Sequence, residues 1–235
     1  MVHKSIVSTN SLKKGRNNMN IAIELIKLPY EAKVALANDK QAYPEFLAVL
    51  ATDNDARIRE NVALNSGTPS EVLDTLANDC DSAVRKAVAE NKNTSADSLT
   101  VLAKDINLDV HASVARNNNT PVETLVMLGC DKTWWVRSAV ARNKNTPIEF
   151  LTVLAQDEDW SVRSAVAWNE NAPADVLAVL AKDEVYEVRY AVAGNPNIPL
   201  NALETLADDE DLQVSEKAED VLKERKEKGK PNMER

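Results

Sequence analysis

Five arginines recur at one spacing: Arg59 and Arg85, then Arg137, Arg163 and Arg189, with Lys33 and His111 completing a column stepped by 26 residues. Six residues before each later base stands an acid, and with one further step these form the parallel column Asp53, Asp79, Asp105, Asp131, Asp157, Asp183 and Asp209. A stripe of guanidinium groups alone would suit a nucleic-acid backbone. Interleaved with carboxylates it predicts internal pairing instead, each arginine held by an aspartate of its own or a neighbouring layer. Other chemistry has little to build on. His3 lies in a tail and His111 sits in the basic column, and neither Cys80 nor Cys130 has an activating partner in view. These two cysteines are too few for a disulfide framework and are expected to be buried or incidental thiols. No Gly-rich phosphate loop or metal-spaced cluster occurs. No enzyme, cofactor or metal site is therefore expected.

Aromatic residues are the other departure. All four tryptophans lie between Trp134 and Trp168, followed by Tyr186 and Tyr190. Trp134, Trp160 and Tyr186 share one register, two residues before the column Ile58, Val84, Val110, Val136, Val162, Val188 and Val214. At 100° per residue that register points about 160° from the valine anchor. Ser164, Trp168, Tyr190, Ser138 and Arg142 are expected on the same outward face. Trp134, Trp135, Trp160, Trp168, Tyr186 and Tyr190, with Arg116 and Arg142, form the candidate partner-binding set, because clustered exposed rings near arginine mark interaction hot spots.

The elements that position these groups follow from one repeat, VRSAVARNKNTPIEFLTVLAQDEDWS, Val136 to Ser161. Thr146, Pro147 and Glu149 read as a helix start, the threonine capping and the glutamate reaching back. Leu151 and Leu154 give that helix its apolar stripe, as do Leu73 and Leu76 or Leu177 and Leu180 elsewhere. A small residue follows, Gly129 or Ala155 for instance, where neighbouring helices approach. Asp157 then opens a second, short helix with Val136, Ala139 and Val140 as the pattern for its buried side. Asn143 and Asn145 end that helix through turn chemistry and left-handed backbone. Ladders from Asn65 to Asn195 and from Asn93 to Asn197 repeat this ending, and turn formation accounts for them better than ligand reading.

With copies starting at 32, 58, 84, 110, 136, 162 and 188, the period alone identifies a solenoid. One hairpin cannot bury both its faces, so its stability comes from stacking. The expected fold is all-α: a right-handed superhelix of seven 26-residue hairpins, each an α-helix plus a short α- or 3₁₀-helix, with terminal capping helices. One domain is expected over 20–228, its C-terminal cap starting at 214 and its N-terminal cap running from Asn20 to Leu28. Tails at 1–19 and 229–235 are expected to be disordered. The net charge of −9 repels phosphate. Neither an export signal nor an apolar run of membrane length is present, which points to the cytoplasm.

The string VR-x-AVA-x-N-x-N-TP-x-x-x-L-x-x-LA-x-D, complete from Val136 to Asp157, resembles the leucine-rich repeat variant family. The match spans about residues 32–213, with His111, Ser95 and Asp39 as departures. The resemblance implies alternating α- and 3₁₀-helices without strands. HEAT repeats are similar from Asp157 to Arg163, which by analogy places the Val-Arg helix on a concave side. No general biochemical activity comes with the family. Function is therefore expected to be non-enzymatic protein or peptide binding. A DNA-repair-type nucleic-acid solenoid and a self-associating homodimer module are the alternatives.

Overall fold

The computed structural model describes residues 18–228, and its chain gathers into two compact units, one ending at Asn119 and the other beginning at Thr120. The expected tails lie outside the described residues, except that Asn18 and Met19 open the first helix. Among the described residues there are sixteen helices and no strand.

In the first unit the helices are α1 (Asn18–Ile26), α2 (Tyr30–Ala37), α3 (Pro44–Leu50), α4 (Ala56–Leu64), α5 (Ser70–Leu76), α6 (Ser82–Glu90), α7 (Ala96–Leu102) and α8 (Leu108–Arg116). The second holds α9 (Val122–Leu128), α10 (Trp134–Arg142), α11 (Ile148–Leu154), α12 (Trp160–Ala167), α13 (Ala174–Leu180), α14 (Tyr186–Gly194), α15 (Leu200–Ala207) and α16 (Leu212–Lys228). Valine-anchored helices stack on their equivalents, α4 on α6 on α8 in one unit and α10 on α12 on α14 on α16 in the other.

The core is the expected one. The anchors Val84, Val110, Val136, Val162, Val188 and Val214 are fully buried. So are Leu73, Leu99, Leu125, Leu151, Leu177 and Leu203 of the intervening helices. Each such side chain contributes about 1.5–3 kcal/mol when removed from water, and it reaches that burial through the adjacent layers. The small position after the second leucine is used as expected. A Cβ on Gly129 would lie 2.1 Å from Cε1 of Phe150, so the phenyl ring of the next hairpin occupies the space that glycine leaves.

Local details differ from the sequence reading. No 3₁₀-helix occurs among the described residues; both members of a hairpin are α. The valine-anchored member is the longer one, nine residues in α10 against seven in α11. Proline, not threonine, takes the N-cap: Pro147 at φ −57°, ψ 144° makes no side-chain cap bond. Thr146 points backward, its hydroxyl donating to the carbonyl of Val140 at 2.6 Å, and Thr68 does the same to Val62. The reason is geometric. Proline already holds the extended conformation that an N-cap needs, which frees the threonine to close the preceding turn. Where Ser95 replaces proline, its hydroxyl accepts from the amide of Ser98 and does cap α7.

The aspartate column does not open the helices either. The N-cap falls two residues later, at Asp55, Asp81 or Asp159, whose carboxylates accept from Arg57, Ala83 and Ser161 amides. The asparagines that follow these helices are extended rather than left-handed, Asn143 at φ −71°, ψ 126°.

Candidate functional site

The charged columns are consumed inside the fold. Arg137 grips Asp157 with two bonds, Nε to Oδ2 at 2.6 Å and Nη2 to Oδ1 at 2.8 Å, and its Nη1 donates to the Asp131 carbonyl at 2.9 Å. Arg59 with Asp79, Arg85 with Asp105, Arg163 with Asp183 and Arg189 with Asp209 repeat the clamp. Lys33 makes the single-point version to Asp53 at 2.6 Å. In each case base and acid are twenty residues apart, so one layer is tied to the next. The bond from Arg59 is the main reason that the Asp79 carboxyl sits below the ordinary carboxylate range, against a smaller opposing effect of burial. Arg85 and Arg189 hold Asp105 and Asp209 down in the same way. These guanidinium groups are partnered on all sides, which removes them as a nucleic-acid stripe.

The asparagine ladders are also spent, but on more than turns. Asn169 accepts from the amide of Asn171 at 2.8 Å, which is the expected turn bond. Its Nδ2 also donates to the carbonyls of Ala141 and Asn143 in the layer before, at 2.7 and 3.1 Å. Asn65, Asn91, Asn117 and Asn195 do likewise. The second ladder stitches exposed loop carbonyls, Asn93 to Ser66 and Asn171 to Lys144.

Open to solvent are the aromatic rings. Trp134, Trp160 and Tyr186 are 44, 43 and 39% exposed at the first residues of α10, α12 and α14. Leu212, at the same register of α16 and 69% exposed, continues the row, although the sequence reading did not include it. Its signal was the 26-residue step alone. Trp135 packs edge-on against Trp134, centroids 5.8 Å apart. The other rings lie elsewhere. Trp168 is the C-cap residue of α12, eight residues or about 12 Å of helix from Trp160. It sits edge-on to the half-buried Tyr190 at 6.4 Å and beside the backbone of Gly194. The candidate set thus divides between two ends of the same helices. Arg142 is exposed at the C-terminal end of α10, and Arg116 is exposed in the first unit.

One expectation about surface placement fails. Ser164 is buried and Ser138 half-buried, because their register lies against the next layer; Ser138 donates to the Ser161 carbonyl. Cys80, directly after Asp79, and Cys130, directly before Asp131, are both exposed, which leaves them as incidental rather than buried thiols.

A second row flanks the rings. Glu158, Glu184 and Glu210 stand two residues before Trp160, Tyr186 and Leu212. Glu158 and Glu210 have side chains 92% exposed, touching arginine only at 3.9 and 4.0 Å. Beside Tyr186 a groove of about 520 Å³ is lined by Glu184, Val185, Glu187, Arg189, Glu210 and Asp211. Glu187, with some burial and Asp211, pushes the Tyr186 phenol above its ordinary value. The sequence reading took the adjacent aspartate column to open the helices and did not single out this row. No group of three or more metal-ligating side chains occurs among the described residues. No helix among them is long and apolar enough to cross a membrane.

Comparison with known proteins agrees with this architecture. The model of the family described as leucine rich repeat variant matches residues 134–159 and 186–211. A solved leucine-rich repeat variant, with a repetitive structural motif described as novel, is 28% identical, with a TM-score of 0.61 over 86% of this chain and 81% of that one. An archaeal HEAT-like repeats protein from Thermococcus onnurineus NA1 is 15% identical, with a TM-score of 0.37 over 88% of this chain and 99% of that one. A designed armadillo repeat protein in complex with the peptide (KR)4 is 16% identical, with a TM-score of 0.36 over 88% and 99%. Among curated proteins none matches the sequence.

Proposed function

We propose that this chain, a helical solenoid of leucine-rich repeat variant units, works as a non-enzymatic scaffold whose aromatic surface in repeats four to seven receives a protein or peptide. The observation that carries the reading is a contrast. Arginines, aspartates and asparagines that repeat are satisfied by the stacking itself, whereas Trp134, Trp135, Trp160, Trp168 and Tyr186 are left open to water. Large rings held on short rigid helices lose little entropy on contact and suit a hot spot. Tyr190 stands beside Trp168, and Arg142 is exposed at the C-terminal end of α10; Arg116, exposed in the first unit, is proposed as a contact of its own. A nucleic-acid reading loses its support, because the basic column is neutralised. Between residues 157 and 211 thirteen acids face only Arg163, Lys182 and Arg189.

Affinity capture with the full chain tests this. Trp160→Ala, at unchanged helical content and thermal midpoint, is expected to lose the captured protein. Equal recovery by wild type and variant refutes the surface. Concentration-dependent sedimentation that disappears in Trp160→Ala would instead make the same rings a homodimer contact.

A further inference from the structure

The row Trp134, Trp160, Tyr186 and Leu212 at the starts of α10, α12, α14 and α16 is an outward helix-end face that the described residues leave uncovered. We propose that its occupant is a cationic, extended peptide segment with arginine or lysine at about every third residue. This rests on the surface reading above and names the partner's chemistry.

Charge complementarity selects that occupant. Trp160, Tyr186 and Leu212 are each preceded at two residues by Glu158, Glu184 and Glu210, so three of the four layers pair an apolar group with an outward carboxylate, while Lys132 holds that place before Trp134. Glu187 and Asp211 add two more at the groove beside Tyr186. The base lining that groove, Arg189, is already held by Asp209 at 2.7 and 2.9 Å and by the carbonyls of Asp183 and Glu184. Glu210 reaches that arginine only at 4.0 Å, as Glu158 reaches Arg137 only at 3.9 Å, so guanidinium groups already bonded elsewhere offset the rim acids only in part. An anionic partner is repelled there, and a neutral apolar one leaves the carboxylates facing it. A guanidinium satisfies both features at once, stacking on a ring face while its N–H groups reach a carboxylate.

Spacing gives the register. Packed helices lie about 8–10 Å apart, and extended chain advances about 3.3 Å per residue. Three residues of peptide thus climb one layer. A segment with one base in three brings each successive cation to the next ring and acid.

Titration of the full-length protein with synthetic peptides, followed by tryptophan emission and calorimetry at low salt, tests the proposal. The probes are four Arg-Ser-Gly triplets, the same length with the four arginines in one block, and four Glu-Ser-Gly triplets. The triplet arginine peptide is expected to bind saturably and more tightly than the block peptide, with the glutamate peptide silent. Trp160→Ala should weaken it about tenfold, while Trp160→Phe, which keeps a ring, stays within about threefold of wild type. Glu184→Gln with Glu210→Gln should also weaken it and flatten its salt dependence.

Binding that ignores Trp160→Ala, equal binding of the glutamate peptide, or no saturable binding overturns the proposal. Preferential binding of a short DNA duplex, or a dimer that excludes the peptide, overturns it too by naming another occupant. If the peptide fails while capture remains sensitive to Trp160→Ala, the chemistry of the partner is wrong and the surface stands. If both fail, the surface falls with it.

Discussion

Asparagine and arginine act in this protein as fasteners, and the structure says what each fastener is worth. Asn169 is almost fully buried, with its amide nitrogen between the carbonyls of Ala141 and Asn143. In Asn169→Asp an oxygen replaces that nitrogen and faces two carbonyl oxygens, while the turn bond from the Asn171 amide survives. The expected cost is about 3 kcal/mol or more, read from urea unfolding. Asn93→Asp, whose nitrogen reaches the exposed carbonyl of Ser66 and that of Thr68, should cost about 1 kcal/mol or less. Similar losses at the two sites would mean that the buried ladder carries no interlayer load. The arginine clamps make a pH prediction. Asp79 is held below its ordinary value, chiefly by Arg59. Its contribution is complete above the unfolded carboxylate value of about 3.9 and disappears as pH falls through the lower folded value. Thermal midpoints of wild type and Asp79→Asn should differ most at neutral pH and converge below about pH 4. A gap that stays constant into acid contradicts the assignment.

Element boundaries show where the sequence is legible and where it is not. Helix identity follows from apolar spacing, and every anchor valine and paired leucine lands where its period says. The capping atoms do not, because Thr-Pro reads alike whether the threonine caps the next helix or closes the last turn. Only the coordinates show the Thr146 hydroxyl turned toward Val140. The C-terminal helix hides its device in the same way. In α16 the charged stretch reads as solubilising, yet Arg225 donates to the carbonyls of Ile198 and Pro196, both at 2.9 Å. Those are the acceptors that the second asparagine ladder takes one repeat earlier in the pattern, as Asn93 does with Ser66 and Thr68. One long arginine thus substitutes for a missing rung at the end of the stack. Arg225→Ala should fray the last turns of α16, with amide exchange there rising about tenfold, equivalent to about 1.4 kcal/mol. The first turns, pinned by the buried Val214 and Ala218, should keep their protection. Uniform exchange along α16 in wild type and variant would leave Arg225 no capping role.

At the scale of the whole molecule, pairing and excess charge must be separated. The chain carries 37 acids against 28 bases. The exposed ring row was legible because a period plus a helical phase fixes what faces outward. Its acidic flank was not, because acids near helix starts have a sufficient local explanation in the helix dipole. The two populations of carboxylate answer differently to salt. Asp157, Asp183 and Asp209 have side chains 7–9% exposed and are clamped by arginine, so mobile ions screen them little. Glu158 and Glu210, with side chains 92% exposed, contribute mainly repulsion of their neighbours. Raising ionic strength from about 0.01 to 0.3 M shortens the screening length from about 30 Å to less than 10 Å. Repulsion should relax more than the clamps weaken, and stability should rise by about 1 kcal/mol. Substituting glutamine at Glu158, Glu184 and Glu210 together should raise the low-salt midpoint and remove most of that salt dependence. A midpoint that falls with salt would mean that the clamps, not the acidic rim, dominate the electrostatics, and would deprive the ring row of the field that selects a cationic guest.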